Sequence, residues 1–123
     1  MRILVCGGRT YGQNSDGSEN TKESWYLYDI LEEYYSIHSD LTIIQGGARG
    51  ADSLAKNWAV YREVLYLEFP AEWGKYGLSA GMIRNTRMLD EGHPDLILAF
   101  PGGRGTANMI KQGKNRNIPV RQL

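Results

Sequence analysis

The 123 residues are 41% hydrophobic and 23% charged, the make-up of a folded chain with one core and too little length for two, so a single domain over residues 1–123 is expected. The longest apolar runs are about five residues, far short of the roughly 20 that carry a helix across a bilayer, and no membrane partner is expected. Fourteen Lys and Arg balance fourteen Asp and Glu, for a formal net charge of zero, which withholds the general positive field that polyanion binding draws on.

Met1 leads directly into Ile3-Leu4-Val5-Cys6 with no charged leader, apolar stretch or cleavage site before it, so no signal peptide is expected. One cysteine excludes an internal disulfide and suits a reducing, cytoplasmic setting. The apolar run predicts a strand over 2–6 that opens into Gly7-Gly8-Arg9-Thr10. Cys6 at that turn is either a catalytic thiol or a small buried hydrophobe; no histidine partner stands out for the first role. The polar segment from Gly12 to Asn20 reads as a mobile loop, either a plain connection or a lid.

Trp25, Tyr28, Leu31, Tyr35 and Ile37 lie near one face of a helix over 22–38. With Tyr26 and Tyr34, the helix is rich in aromatic residues, which either pack internally or form a surface for a homodimer or higher homo-oligomer. A strand over 41–45 opens into Gly46-Gly47-Ala48-Arg49-Gly50-Ala51-Asp52, followed by a helix over 50–62. Asp52 sits early in that helix. It either accepts bonds from a ribose or base edge or answers the helix dipole.

After a strand over 64–69, a loop carries Glu72 and Trp73, the latter a stacking surface for a base or a hydrophobic cap. A helix over 79–91 brings Arg84, Asn85 and Arg87 into one turn. Arg84 and Arg87, three apart, are expected to share a side on which two guanidiniums repel unless an anion or carboxylate lies between them. A strand over 95–100 opens into Pro101-Gly102-Gly103-Arg104-Gly105-Thr106, then a helix over 105–115 and a strand over 118–121.

Short, continuous apolar strands imply burial on both faces. Alternating with helices, they predict an α/β chain: a Rossmann-like open, mostly parallel five-stranded sheet with helices on both faces. Such sheets bind ligands beyond the carboxyl ends of their strands. All three Gly-Gly turns fall there, where a backbone without Cβ atoms approaches phosphate closely and a helix start offers free N–H groups.

Neither GxGxxG nor GxxxxGK[ST] occurs, so a dinucleotide dehydrogenase and an ATPase are set aside and no cofactor is expected. His38 and His93 stand apart at predicted helix ends, and no His, Cys and carboxylate set has ligand spacing; no metal is expected. Acids dominate residues 1–40, whereas Lys111, Lys114, Arg116 and Arg121 follow Arg104 without a carboxylate. This tail is either a phosphate-attracting surface or a solvated helix face.

Together GGRTY, QGGARGADSLAKNWA, EWGKYGLSAGMIRNTRML and DLILAFPGGRGTANM resemble the SLOG superfamily, the Rossmann-like group that includes the LOG phosphoribohydrolases and the DNA-processing protein DprA. The similarity is greatest to its YspA-like branch, DUF2493. The resemblance covers nearly the whole chain and implies binding of nucleotides or nucleotide-derived molecules at the strand ends, with dimer formation. It also implies a difference. LOG enzymes carry PGGxGTxxE and RKxxM, whose Glu and Arg break an N-glycosidic bond; here the Glu position is Met109 and the second segment reads Arg84-Asn85-Thr86-Arg87-Met88. A thioether neither takes a proton nor stabilises an oxocarbenium ion, so that mechanism does not carry over.

The expected function is therefore binding of a nucleotide-derived small molecule, an ADP-ribose-like or cyclic nucleotide signal, by a sensor or sequestering protein. Gly7, Gly8, Gly46, Gly47, Gly50, Gly102, Gly103 and Gly105, with Ala48 and Pro101 in the same turns, would admit phosphates. Thr10 and Thr106 would donate hydroxyls, Arg9 and Arg84 would neutralise charge, Asp52 and Asn85 would read sugar or base, and Trp73 would stack. One alternative is a nucleotide N-glycosidase using Arg84 with Asp52 or Glu72. A second is single-stranded nucleic-acid binding, against which the neutral charge argues.

Overall fold

A computed structural model describes residues 1–123. Its strands are β1 (Arg2–Cys6), β2 (Thr42–Gln45), β3 (Leu65–Glu68), β4 (Leu96–Ala99) and β5 (Val120–Gln122); its helices are α1 (Thr21–Ile37), α2 (Ala51–Arg62), α3 (Trp73–Tyr76), α4 (Ala80–Gly92) and α5 (Arg104–Asn115), with a 3₁₀ turn at Gly77–Ser79. The strands form one sheet of order β3-β2-β1-β4-β5 in which every neighbouring pair is parallel. Parallel neighbours require crossovers, and a helix lies in each one.

Successive residues of a strand point to opposite faces, and here both faces are covered. Ile3, Val5, Ile43 and Leu98 pack with Leu27, Leu31, Ala55 and Trp58 of α1 and α2. Leu4, Cys6, Ile44 and Ile97 pack with Met88, Leu89 and Met109 of α4 and α5. The aliphatic members on β1, β2 and β4 are fully buried, each worth about 1.5–3 kcal/mol relative to exposure. The Rossmann-like α/β architecture with helices on both faces is thus the one the alternating pattern predicts.

Three expectations need correction. Burial on both faces holds for the central strands but not for the edges: Leu65 is 75% exposed and Tyr66 37%, since an edge strand has a neighbour on one side only and apolar continuity does not distinguish edge from centre. Of the two readings of the segment from Gly12 to Asn20, the lid fails and the exposed connection remains, closed by its own hydrogen bonds. Asn14 N–H donates to Ser18 O at 2.8 Å and Asn20 N–H to Gly12 O at 2.8 Å, Gln13 bridges Glu19, and none of these residues lines the crevice at the strand ends. The turn is fastened to α1 at its N-terminal cap: Asn20 Oδ1 accepts from Glu23 N–H at 3.1 Å, and the Glu23 carboxylate accepts from Gly12 N–H at 2.9 Å. Finally, Trp73 opens the one-turn helix α3 rather than lying in a loop.

His38 and His93 do occupy helix ends, as the C-terminal caps of α1 and α4. β1 has β2 on one side and β4 on the other. Its crossovers leave in opposite directions, and that reversal opens a cleft past the carboxyl ends of β1 and β4.

Candidate functional site

The three glycine corners meet at that reversal. Gly8 N–H donates to Pro101 O at 2.9 Å, tying the β1 corner to the β4 corner, and Ala51 N–H donates to Gly8 O at 3.3 Å, tying in the start of α2. The approach is close enough that a Cβ on Gly102 would come within 2.7 Å of Gly8 N. Gly50, the N-terminal cap of α2, has φ +80° and ψ −127°, a conformation almost confined to glycine; a Cβ there would run into the Gly8 carbonyl and the Arg9 backbone. From α4, Arg84 Nη1 donates to Gly46 O at 2.5 Å, and Asn85 Nδ2 donates to Gly105 O at 3.1 Å at the head of α5.

Between these corners lies a crevice of about 540 Å³, within the range of small-ligand sites. Of the residues singled out in the sequence, Gly7, Gly8, Arg9, Ala48, Asp52, Trp73, Arg84, Asn85, Gly103, Gly105 and Thr106 line it. Gly46 and Gly47 line an adjoining hollow of about 330 Å³ instead. Gly50, Pro101 and Gly102 hold the corners together from behind. Thr10 and Glu72 line neither space: the Thr10 carbonyl accepts from Gln13 N–H, and the Glu72 carboxylate lies 3.8 Å from Arg87.

Cys6, weighed as a thiol or a small hydrophobe, also lines the crevice, and sequence reasoning missed Leu78, Gly81, Met82, Met88 and Arg104, which do so too. Arg104 sat inside a motif already chosen and was legible as the first residue of the next helix. Leu78, 97% exposed, and Met82, 53% exposed, form an apolar rim that hydrophobic periodicity assigns to the core.

The crevice gathers three guanidiniums, of Arg9, Arg84 and Arg104, and one buried acid, Asp52. α5 starts at Arg104 without a side-chain cap, and Gly103, Arg104, Gly105 and Thr106 all face the crevice, so the uncapped N–H end of the helix and the positive end of its dipole belong to this site. Arg9 stacks over the Trp73 ring at 5.2 Å. Burial lowers the Arg84 pKa from its ordinary value; the Asp52 charge counters this, and the Arg9 charge adds to it. Burial pushes Asp52 up to about 6, although N–H groups of Ala48 and Gly46, each 3.2 Å from Oδ2, and the Arg84 charge favour its ionised form. Burial also pushes the Cys6 thiol up to about 12. It stays protonated at neutral pH and serves as floor, not nucleophile.

Two expectations about α4 change. Arg84 and Arg87 do not share a cationic face: Arg87 Nε pairs with Glu91 at 2.9 Å, whereas Arg84 turns to Gly46. Asn85 is buried and engages both ends of its amide within the chain, donating to Gly105 O and to Asn108 Oδ1 and accepting from Arg84 Nε at 3.2 Å. It positions Arg84 and α5 and has little left with which to read a sugar. Met109, at the position of the LOG glutamate, is fully buried in the core.

Because the native Asp52 carboxyl binds its proton up to about pH 6 and an unfolded one only to about 3.8, the folded state is favoured by protonation. The contribution of Asp52 to stability is then most favourable below pH 4 and becomes about 3 kcal/mol less favourable as pH rises through 6. Asp52→Asn keeps an oxygen for the two N–H groups and is expected to flatten that slope. Urea midpoints measured from pH 4 to 7 check it; an unchanged slope assigns the effect elsewhere.

The model of the YspA, cpYpsA-related SLOG family matches residues 1–76, which hold the first two glycine corners. The chain is 33% identical over 127 residues to the Gene 61 protein of Mycobacterium phage D29, covering 97% of this chain and 93% of that one. Its backbone is similar to the crystal structure of TM1055, a structural-genomics target, with a TM-score of 0.72, 18% identity, 98% of this chain and 72% of that chain covered; at that identity the likeness speaks for the fold alone. No helix is long and apolar enough to cross a membrane. With the family match spanning well over half of the residues and the crossover pattern continuing unbroken beyond it, the chain belongs to the YspA, cpYpsA-related SLOG family.

Proposed function

We propose that the crevice binds a phosphorylated nucleotide or nucleotide-derived signal, ADP-ribose-like or cyclic, and that the chain acts as a sensor or sequestering protein. The observation that carries this is the convergence of the β1 and β4 corners on the uncapped start of α5, with Arg9, Arg84 and Arg104 lining the same space. Main-chain N–H groups and guanidiniums suit phosphate, and the apolar rim of Trp73, Leu78 and Met82 suits a base. Family membership supports the nucleotide-related part. Isothermal titration with AMP, ADP-ribose and a cyclic dinucleotide tests it; absence of heat with all three overturns it.

Gly105 gives a sharper test. A Cβ there would meet no atom within 4 Å, so Gly105→Ala in this helix is expected to raise stability by about 0.5–1 kcal/mol. The same methyl stands where phosphate would approach the backbone, and affinity is expected to fall about tenfold or more, roughly 1.4 kcal/mol. Thermal melts and titration of the same variant check both halves.

A second reading, N-glycosidic hydrolysis, is favoured by one observation: Asp52, with a pKa near 6, is poised for proton transfer at neutral pH beside Arg84. Release of free base from AMP, lost in Asp52→Asn, would support it; turnover at the buffer background removes it. Nucleic-acid binding has less support, because the basic tail is partly answered by acids: Arg116 pairs with Asp90 at 3.1 Å and Arg121 with Glu33 at 3.9 Å. The proposal includes a cytoplasmic setting, in keeping with the unpaired thiol, and a homodimer or higher homo-oligomer formed over α1, where Trp25 and Tyr26 are exposed.

A further inference from the structure

The hollow beside the crevice lies past the carboxyl ends of β2 and β3. It is lined by Arg9, Arg49 and Arg84 with Gly47, Pro70 and Trp73, and by no carboxylate. Arg9, Trp73 and Arg84 line both spaces, so the Arg9–Trp73 stack is their common wall. The acids nearest in the chain are committed elsewhere: Asp52 lines only the crevice and accepts from Gly46 and Ala48 N–H. Glu68 accepts from Gln45 Nε2 at 2.8 Å and pairs with Lys56 at 3.4 Å, and Glu72 faces Arg87. None of the ion pairs in the chain involves Arg9, Arg49 or Arg84.

Three guanidiniums gathered around one concavity, of which only Arg84 feels a nearby carboxylate, that of Asp52, repel each other until an anion enters. A nucleoside monophosphate has a single phosphoryl group, and the start of α5 already offers it a seat at the far side of the crevice. Its base and sugar give Arg49 nothing to pair with.

Resting on the nucleotide reading above, we propose that the ligand is a nucleotide with two phosphoryl groups: one seated at the start of α5, the other held by Arg9, Arg49 and Arg84 beyond the Trp73 stack. Arg49 then sets specificity. It is exposed and makes no side-chain bond that the fold depends on, so its replacement isolates binding from folding.

The test is titration of wild type and Arg49→Gln with AMP, adenosine 3′,5′-bisphosphate and ADP-ribose, probes that carry one phosphoryl group, two on separate oxygens and two joined. At least one two-phosphoryl probe is expected to bind wild type about tenfold tighter than AMP, the effect of one charge-assisted contact. Arg49→Gln is expected to abolish that advantage and leave AMP affinity within about twofold, because its seat is elsewhere. Whichever probe gains the advantage identifies the phosphoryl spacing. AMP binding as tightly as both others, or Arg49→Gln weakening all three alike or none, overturns the second seat while the nucleotide reading stands. Absence of heat with every probe overturns both.

Discussion

Replacing Gly50 with alanine is expected to cost the fold about 3 kcal/mol or more, enough to unfold a large share of a domain of ordinary stability. Two penalties add. With φ at +80° and ψ at −127° the backbone lies where an L side chain is strained, and the new methyl would strike the Gly8 carbonyl and the Arg9 backbone, which cannot move aside without parting the β1 corner from α2. Gly17, with φ +86° and no atom within 4 Å of its Cβ position, is the control. Gly17→Ala carries the conformational penalty without the collision and is expected to cost about 1 kcal/mol. Urea unfolding of both variants measures the difference. Equal costs would mean that the corners are not held in contact in solution.

Arg84→Ala is expected to weaken nucleotide binding about ten- to a hundredfold, the contribution of a guanidinium–phosphate contact at a partly buried site. Arg84 is the one cation in the crevice fixed at both edges of its guanidinium, by Gly46 O on one side and Asn85 Oδ1 on the other, so its charge is already in place before a ligand arrives. Arg84→Lys keeps the charge and loses the fork, and is expected to recover only part of the affinity. The alanine variant also leaves buried Asp52 without its nearest positive charge, so the Asp52 pKa is expected to climb above about 6. Titration calorimetry reads the first effect, and the pH dependence of the melting temperature reads the second. Affinity within twofold of wild type would remove Arg84 from the site.

Much of this was legible in the sequence because the signals were local. Ile3-Leu4-Val5 and Leu96-Ile97-Leu98 announced buried strands, and the Gly-Gly pairs after them announced where the chain had to pass close to itself. What stayed hidden depends on partners distant in the chain. Asn85 reads as a free polar group until Gly105 and Asn108, some twenty residues on, claim its amide. Arg87 reads as Arg84's companion until Glu72 and Glu91 draw it away. Leu65 reads as core because its neighbours in sequence are apolar, and only the strand order makes it an edge.

The order of the strands also governs when the pocket can exist. β1 pairs with β4 through contacts such as Ile3 with Leu96 and Cys6 with Ala99, so the middle of the sheet joins segments far apart in the chain. As the chain leaves the ribosome, β1, β2 and β3 can assemble early, but the seam that shapes the cleft closes only after Ala99 has emerged. Until then one side of β1 is an open template, and contacts so remote in sequence form slowly. Nascent chains stalled before residue 96 should therefore be sticky, and the proposed ligand would find its cleft only once β4 has paired with β1.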